Sequence, residues 1–126
     1  MLGTCDVIAF VPTLEPDRAR AFYETVLGLR FVSSDHYAMM FEANGIRLRI
    51  ARVQEFTPDP FTILGWIVPD IGTAIKDLVK RGVKFERYGI FKQDELGICT
   101  FLSGEKVAWF KDPDGNTLSL TQSDLM

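Results

Sequence analysis

Apolar positions in this chain follow two alternating rhythms, and the same succession of rhythms is written twice. Val7-Ile8-Ala9-Phe10-Val11 is a short β-branched and aromatic run closed by Pro12, which predicts a strand ending where proline cannot continue a ladder. From about Glu15 to Val26 the period lengthens. Ala19, Phe22, Tyr23 and Val26 recur at i, i+3, i+4 and i+7, the stripe of an amphipathic helix. Gly28 follows where a helix end favours a left-handed residue. Three more strands are expected near Leu29–Ser33, Tyr37–Glu42 and Ile46–Val53. The last two are joined by Ala43-Asn44-Gly45, whose Asn-Gly pair is a hairpin signal.

The second half repeats this order. Leu64–Val68 closes on Pro69, a helix from about Gly72 to Lys80 aligns Ile71, Ala74, Ile75, Leu78 and Val79, and Gly82 follows. Strands are expected at Val83–Tyr88, Lys106–Lys111 and Thr117–Gln122. Asp112-Pro113-Asp114-Gly115-Asn116 forms the final turn, where proline fixes φ and glycine accepts a positive one. One offset of 54 relates Gly28 to Gly82 (82 − 28) and Phe31 to Phe85 (85 − 31). The segment Gly89–Gly104 has no counterpart in the first half and reads as an insertion. The expected fold class is therefore α+β, two tandem βαβββ modules over about 5–53 and 62–122, within a single domain spanning 1–126.

Composition narrows the partners. A length of 126 residues suits one domain with a real core. The net charge of −3 makes a poor partner for nucleic acid or an anionic membrane, which attract clustered Lys and Arg. No apolar run reaches the roughly 20 residues of a membrane helix. Met1 to Asp6 carry no basic leader pattern, so a cytoplasmic protein is expected. Cys5 and Cys99, outside any C-x-x-C pair, read as reduced structural thiols.

Arg18-Ala19, Phe22-Tyr23 and Leu27-Gly28-Leu29 in module one, with Val68-Pro69-Asp70-Ile71, Gly82-Val83 and Asp112-Pro113-Asp114-Gly115-Asn116 in module two, give the chain a resemblance. It resembles the vicinal oxygen chelate superfamily, which includes glyoxalases, extradiol dioxygenases and bleomycin-binding resistance proteins. The resemblance implies that the two modules form a curved mixed sheet around a cleft. It also implies a divalent metal held by His and Glu from the first and last strands of each module. The corresponding positions here are Ile8 or Asp6, depending on register, then Arg49, Ile63 and Ser119. Divalent metals want several His, Asp or Glu donors, and an arginine opposes one. The single histidine, His36, falls in an expected turn. No metal and no cofactor is expected.

Strand alternation assigns the remaining side chains. Val7, Ala9 and Val11 should pack inward, leaving Asp6, Ile8 and Phe10 on the cleft face with Arg47 and Arg49. In module two, Ile63, Gly65 and Ile67 share that face with Val107, Trp109 and Lys111 and with Thr117, Ser119 and Thr121. An aromatic platform, short hydroxyls and guanidinium groups suit a planar or anionic small molecule. Two plainer readings stay open: Arg47 and Arg49 on a solvated face paired with Glu42 or Asp6, and Trp109 as core or dimer interface. Asp94-Glu95 in the insertion reads as a charged surface loop, with a base or cation site as the alternative.

The favoured function is a metal-free small-molecule-binding protein, acting as a homodimer because open sheet edges are usually protected by association. The alternative is a lyase, isomerase or dioxygenase-like enzyme acting on a small oxygenated substrate with a non-standard or absent metal site. A third reading is an interaction subunit whose cleft is filled by its own side chains.

Overall fold

The computed structural model describes residues 1–123. In the first unit, Met1–Thr57, β1 (Ile8–Thr13) is followed by a helix and by β2 (Arg30–Ser34), β3 (Ala38–Ala43) and β4 (Ile46–Arg52). The sheet order is β1-β4-β3-β2, with β1 parallel to β4 and the other neighbours antiparallel. Period-two alternation sends Val11, Met39, Phe41, Leu48 and Ile50 into the core. The helix closes that core through Ala19 and Tyr23, with the Tyr23 ring 6.2 Å from Phe41. The hairpin at Asn44 and Gly45 forms as expected, with φ of 49° and 85°.

In this unit three features depart from the sequence reading. The first strand does not stop before proline: Pro12 lies inside β1, paired with Ala51. Strand β1 is an edge of this sheet. Because the Thr13 carbonyl accepts the Val53 N–H at 3.0 Å, the preceding residue's nitrogen turns to the open side, where no ladder bond is lost. Val7 precedes the strand and is exposed rather than packed inward. The helix is α-helical only over Pro16–Arg20 (α1) and continues as a π-helical segment, Ala21–Val26, closed by the Leu27 N–H on the Phe22 carbonyl. The wider turn rotates the stripe, so Phe22 and Val26 are only half-buried.

The second unit, beginning at Pro58, comprises β5 (Thr62–Ile67), α2 (Ile71–Lys80), β6 (Cys99–Thr100), β7 (Lys106–Lys111) and β8 (Thr117–Gln122), in sheet order β5-β8-β7-β6. Asp70 caps α2 by accepting the Thr73 N–H at 3.1 Å. The helix ends in paired bonds, Val83 N–H to Leu78 O and Gly82 N–H to Val79 O, around a Gly82 φ of 96°. Ile71 and Ile75 pack toward β7 and β8, whose core side carries Ala108, Phe110, Leu118 and Leu120. The turn into β8 is tied by Asp112, whose Oδ1 accepts the Asp114 and Asn116 N–H groups, both at 2.9 Å.

The expected strand Val83–Tyr88 is not continuous. It makes one bridge, Phe85 to Phe110, and the Glu86 N–H donates to the Trp109 carbonyl at 2.8 Å. The other half of β7 pairs with β6 instead. Two separate segments thus share the fourth-strand place. Gln93 explains the break. Its side-chain oxygen accepts the Tyr88 N–H at 2.7 Å, and its amide nitrogen donates to the Glu86 and Gly97 carbonyls at 3.0 and 2.8 Å. Those bonds replace the ladder where the chain leaves the sheet. Among the described residues, no helix is long and apolar enough to cross a membrane.

Candidate functional site

On the outward face of the first sheet, strand register sets two rows of side chains. Phe10 stands opposite Arg49, which stands opposite Met40 and then Ser33. Ile8 stands opposite Arg47, then Glu42, then Arg30. The second row is charge-balanced on one side only. Arg30 takes Glu42, donating through Nε at 2.8 Å and through Nη2. Glu42 is held below the usual carboxylate range, first by that Arg30 hydrogen bond, then by the Gly45 N–H, with Arg47 adding a smaller charge effect. Arg47 is therefore exposed beside a carboxylate that another arginine has claimed.

Arg49 is half-buried between Phe10 and Met40, and its guanidinium has no hydrogen-bond or ion-pair partner among the described residues. The nearby carboxylate, Asp35, is already committed. It accepts the Tyr37 N–H at 2.7 Å and the Ala38 N–H at 2.9 Å. It is held below the usual range by the Ala38 and Tyr37 N–H groups first, and by Arg49 and Arg52 to a lesser degree. Asp6 is exposed, ahead of β1, and is not engaged with Arg47 or Arg49. His36 is exposed in the turn before β3, edge-on to Tyr37.

In the second sheet, Trp109 stands opposite Ser119, which stands opposite Gly65. Ser119 is buried at 8% exposure, and Thr117 and Val107 on the same face are buried too. Ile63 does not follow simple alternation. A register shift between Thr62 and Leu64 leaves it without a partner in β8. The Trp109 indole is covered from the insertion. The Phe91 ring stacks on it at 5.2 Å and 18°, and Tyr88 meets it edge-on at 5.5 Å. Phe101 backs Phe91 at 6.2 Å. Burial raises the Tyr88 hydroxyl pKa, with the Glu86 charge adding to it. Met40, Tyr88 and Phe91 were not among the expected site residues. The Tyr88-x-x-Phe91 spacing at the start of the insertion was the signal available for the last two.

In the insertion the Asp94 carboxylate and the Asp94 and Glu95 backbone carbonyls make structural contacts. Asp94 Oδ1 accepts the Leu96 and Ile98 N–H groups at 2.9 Å, and Arg87 donates to the Asp94 and Glu95 carbonyls at 2.6 Å. As for a metal, the positions at issue carry Ile8 or Asp6, Arg49, Ile63 and Ser119. That donor set does not fit a divalent ion, since aliphatic side chains donate nothing and a guanidinium repels the charge. Among the described residues, no three His, Cys, Asp or Glu side chains come together as a metal site.

The repeated order of strand, helix and strands is matched by a family model. The model described as Glyoxalase/Bleomycin resistance protein/Dioxygenase superfamily covers residues 6–120. The chain belongs to the glyoxalase/bleomycin resistance protein/dioxygenase superfamily. Solved structures of the same fold include lactoylglutathione lyase from Agrobacterium tumefaciens, at 15% identity and TM-score 0.75, covering 97% of this chain and 96% of that one. A superfamily member from Sphaerobacter thermophilus is similar at 20% identity and TM-score 0.74, covering 98% and 100%. A glyoxalase/bleomycin resistance protein/dioxygenase from Alicyclobacillus acidocaldarius follows at 18% and 0.70, covering 96% and 92%. At these identities the likeness is one of fold. No curated protein matches the chain in sequence.

Proposed function

We propose that this superfamily member is a metal-independent binding protein for a small planar molecule bearing an anionic or carbonyl group, acting as a cytoplasmic homodimer. The observation that carries this reading is Arg49. It is a half-buried residue whose guanidinium has no hydrogen-bond or ion-pair partner among the described residues, and it is flanked by Phe10 and Met40. A planar five-donor head between two apolar side chains favours a carboxylate or enolate attached to a flat apolar body. Ile8 and Arg47 stand in the next row of the same sheet face and Asp6 lies ahead of β1, while Trp109, Ser119 and Ile63 are proposed as ligand contacts on the second unit's own sheet. The free thiols of Cys5 and Cys99 suit a reducing compartment.

The test uses chelator-dialysed protein. Calorimetry should find that 2-naphthoate binds, and binds more tightly than the neutral 2-naphthamide, with no metal added. Equal binding of the two would overturn the anion reading. Elemental analysis giving close to one Zn, Fe, Ni or Mn per chain after dialysis would overturn metal independence.

A further inference from the structure

The insertion places a flat side chain, Phe91, where a flat ligand would have to lie. Phe91 sits on the Trp109 indole nearly parallel, at 18° and 5.2 Å between ring centres. That is the arrangement an aromatic ligand adopts on an aromatic platform. Tyr88 borders the same indole edge-on, and Phe101 stands behind Phe91. Together the rings make an aromatic cluster in which the indole face is covered by the protein itself.

The chain around Phe91 is built in two parts of unequal security. The neck is held by Gln93, which bonds Tyr88, Glu86 and Gly97, and by Arg87 on the Asp94 and Glu95 carbonyls. The tip, residues 89–92, lies between those anchors and, among the described residues, has a single backbone hydrogen bond of its own, the Phe91 N–H to the Tyr88 carbonyl at 3.1 Å. Gly89, Ile90, Phe91 and Lys92 are all exposed, Ile90 at 88%. Moving the tip therefore breaks one backbone hydrogen bond, the stack on Trp109 and the edge contacts of Phe91 with Tyr88 and Phe101, while the neck and the β7 ladder stay intact. Segments with few buried contacts and few internal bonds open first.

We propose that Phe91 is a self-ligand, a displaceable ring that occupies the Trp109 platform and sets a threshold for planar molecules. The ligand class is a fused or substituted aromatic ring able to out-stack a single phenyl group. Small aliphatic acids do not displace the tip. This proposal rests on the reading of Trp109 as a ligand platform. It goes further in assigning the insertion a specificity role, with Phe91 as the competing group and the 89–92 tip as the moving part.

The experiment measures 2-naphthamide binding to the full chain by calorimetry, because a neutral probe leaves the Arg49 anion reading out of the result. Phe91→Ala should bind about threefold to tenfold more tightly than the parent, the range that one released ring stack supplies. The gain should disappear in Phe91→Ala combined with Trp109→Leu. Equal or weaker binding by a folded Phe91→Ala chain would sink the self-ligand proposal while leaving the platform standing. Absence of binding by both parent and Phe91→Ala would remove the platform and the proposal together. Hydrogen exchange on the unmodified chain gives an answer even where the variant fails to fold. The Phe91 amide should exchange far faster than the Glu86 amide and the β7–β8 ladder. Exchange as slow as theirs would show a fixed wall and overturn the proposal.

Discussion

Gly65 and Ser119 face each other across β5 and β8 so closely that a methyl group on Gly65 would lie 2.5 Å from the serine Oγ and 3.2 Å from its carbonyl oxygen. The serine hydroxyl can rotate away, but the carbonyl is part of the sheet. Gly65→Ala should therefore destabilise the chain by about 1–3 kcal/mol, the range for overpacking a fitted site. Adding Ser119→Ala should recover the side-chain part of that loss and leave the backbone part. A urea double-mutant cycle reads the coupling. Additive losses would mean that the two residues do not meet as described.

Arg49 carries the binding reading, so its removal is the most direct test of that reading. A hydrogen-bonded contact to a charged group contributes roughly 1.5–3 kcal/mol. Arg49 is only half-buried, and solvent screening favours the lower end. Arg49→Ala should weaken 2-naphthoate binding about tenfold, with little change for 2-naphthamide. The melting temperature should hardly move, because no protein partner among the described residues is lost. Unchanged naphthoate affinity in calorimetry would refute the anchor role.

Much of this arrangement is legible in the residues because period-two alternation survives in long strands. Ala108 and Phe110 packed inward, and Val107, Trp109 and Lys111 on the other face, follow from parity alone, as do Leu48 and Ile50 against Arg47 and Arg49. Local turn chemistry is equally readable at Asn44-Gly45 and Gly82. Parity fails where one residue is added, as at Ile63, because a bulge is set by the fit to the neighbouring strand. The reading of Pro12 as a stop failed because proline is excluded from ladders only where its nitrogen faces a partner. The split fourth strand depends on Gln93 reaching Glu86 and Gly97, and Phe91 covering Trp109 depends on how the insertion folds back. Neither has a periodic signature.

Association is the next expectation. Strands β1 and β5 each have one neighbour in their sheets. Their outward residues Ile8, Phe10 and Ile67 are 40%, 60% and 58% exposed, with Phe61 beside β5 at 57%. Exposed strand edges carrying apolar side chains are commonly covered by another copy. Light scattering at micromolar concentration should give twice the 14.2 kDa chain mass. Phe61→Lys together with Ile67→Lys should shift it to the single-chain mass. A single-chain mass for the unmodified protein would refute the homodimer.

Asp35 should contribute to acid sensitivity. Its carboxylate accepts the Tyr37 and Ala38 N–H groups, and those bonds, with Arg49 and Arg52 nearby, hold its pKa below the usual value in the folded state. A depressed folded pKa means that the unfolded chain binds a proton more readily. The contribution is therefore complete above the ordinary carboxylate range and is lost as pH falls through and below it. Glu42, depressed chiefly by Arg30, acts in the same direction. Asp35→Asn keeps a side-chain oxygen for the two N–H groups but removes the titration. Urea midpoints measured from neutral pH downwards should fall less steeply with acid for Asp35→Asn than for the parent, and the two curves should converge at the acid end. Parallel curves throughout would show that Asp35 has the same pKa folded and unfolded, and that the turn before β3 is held by something other than its charge.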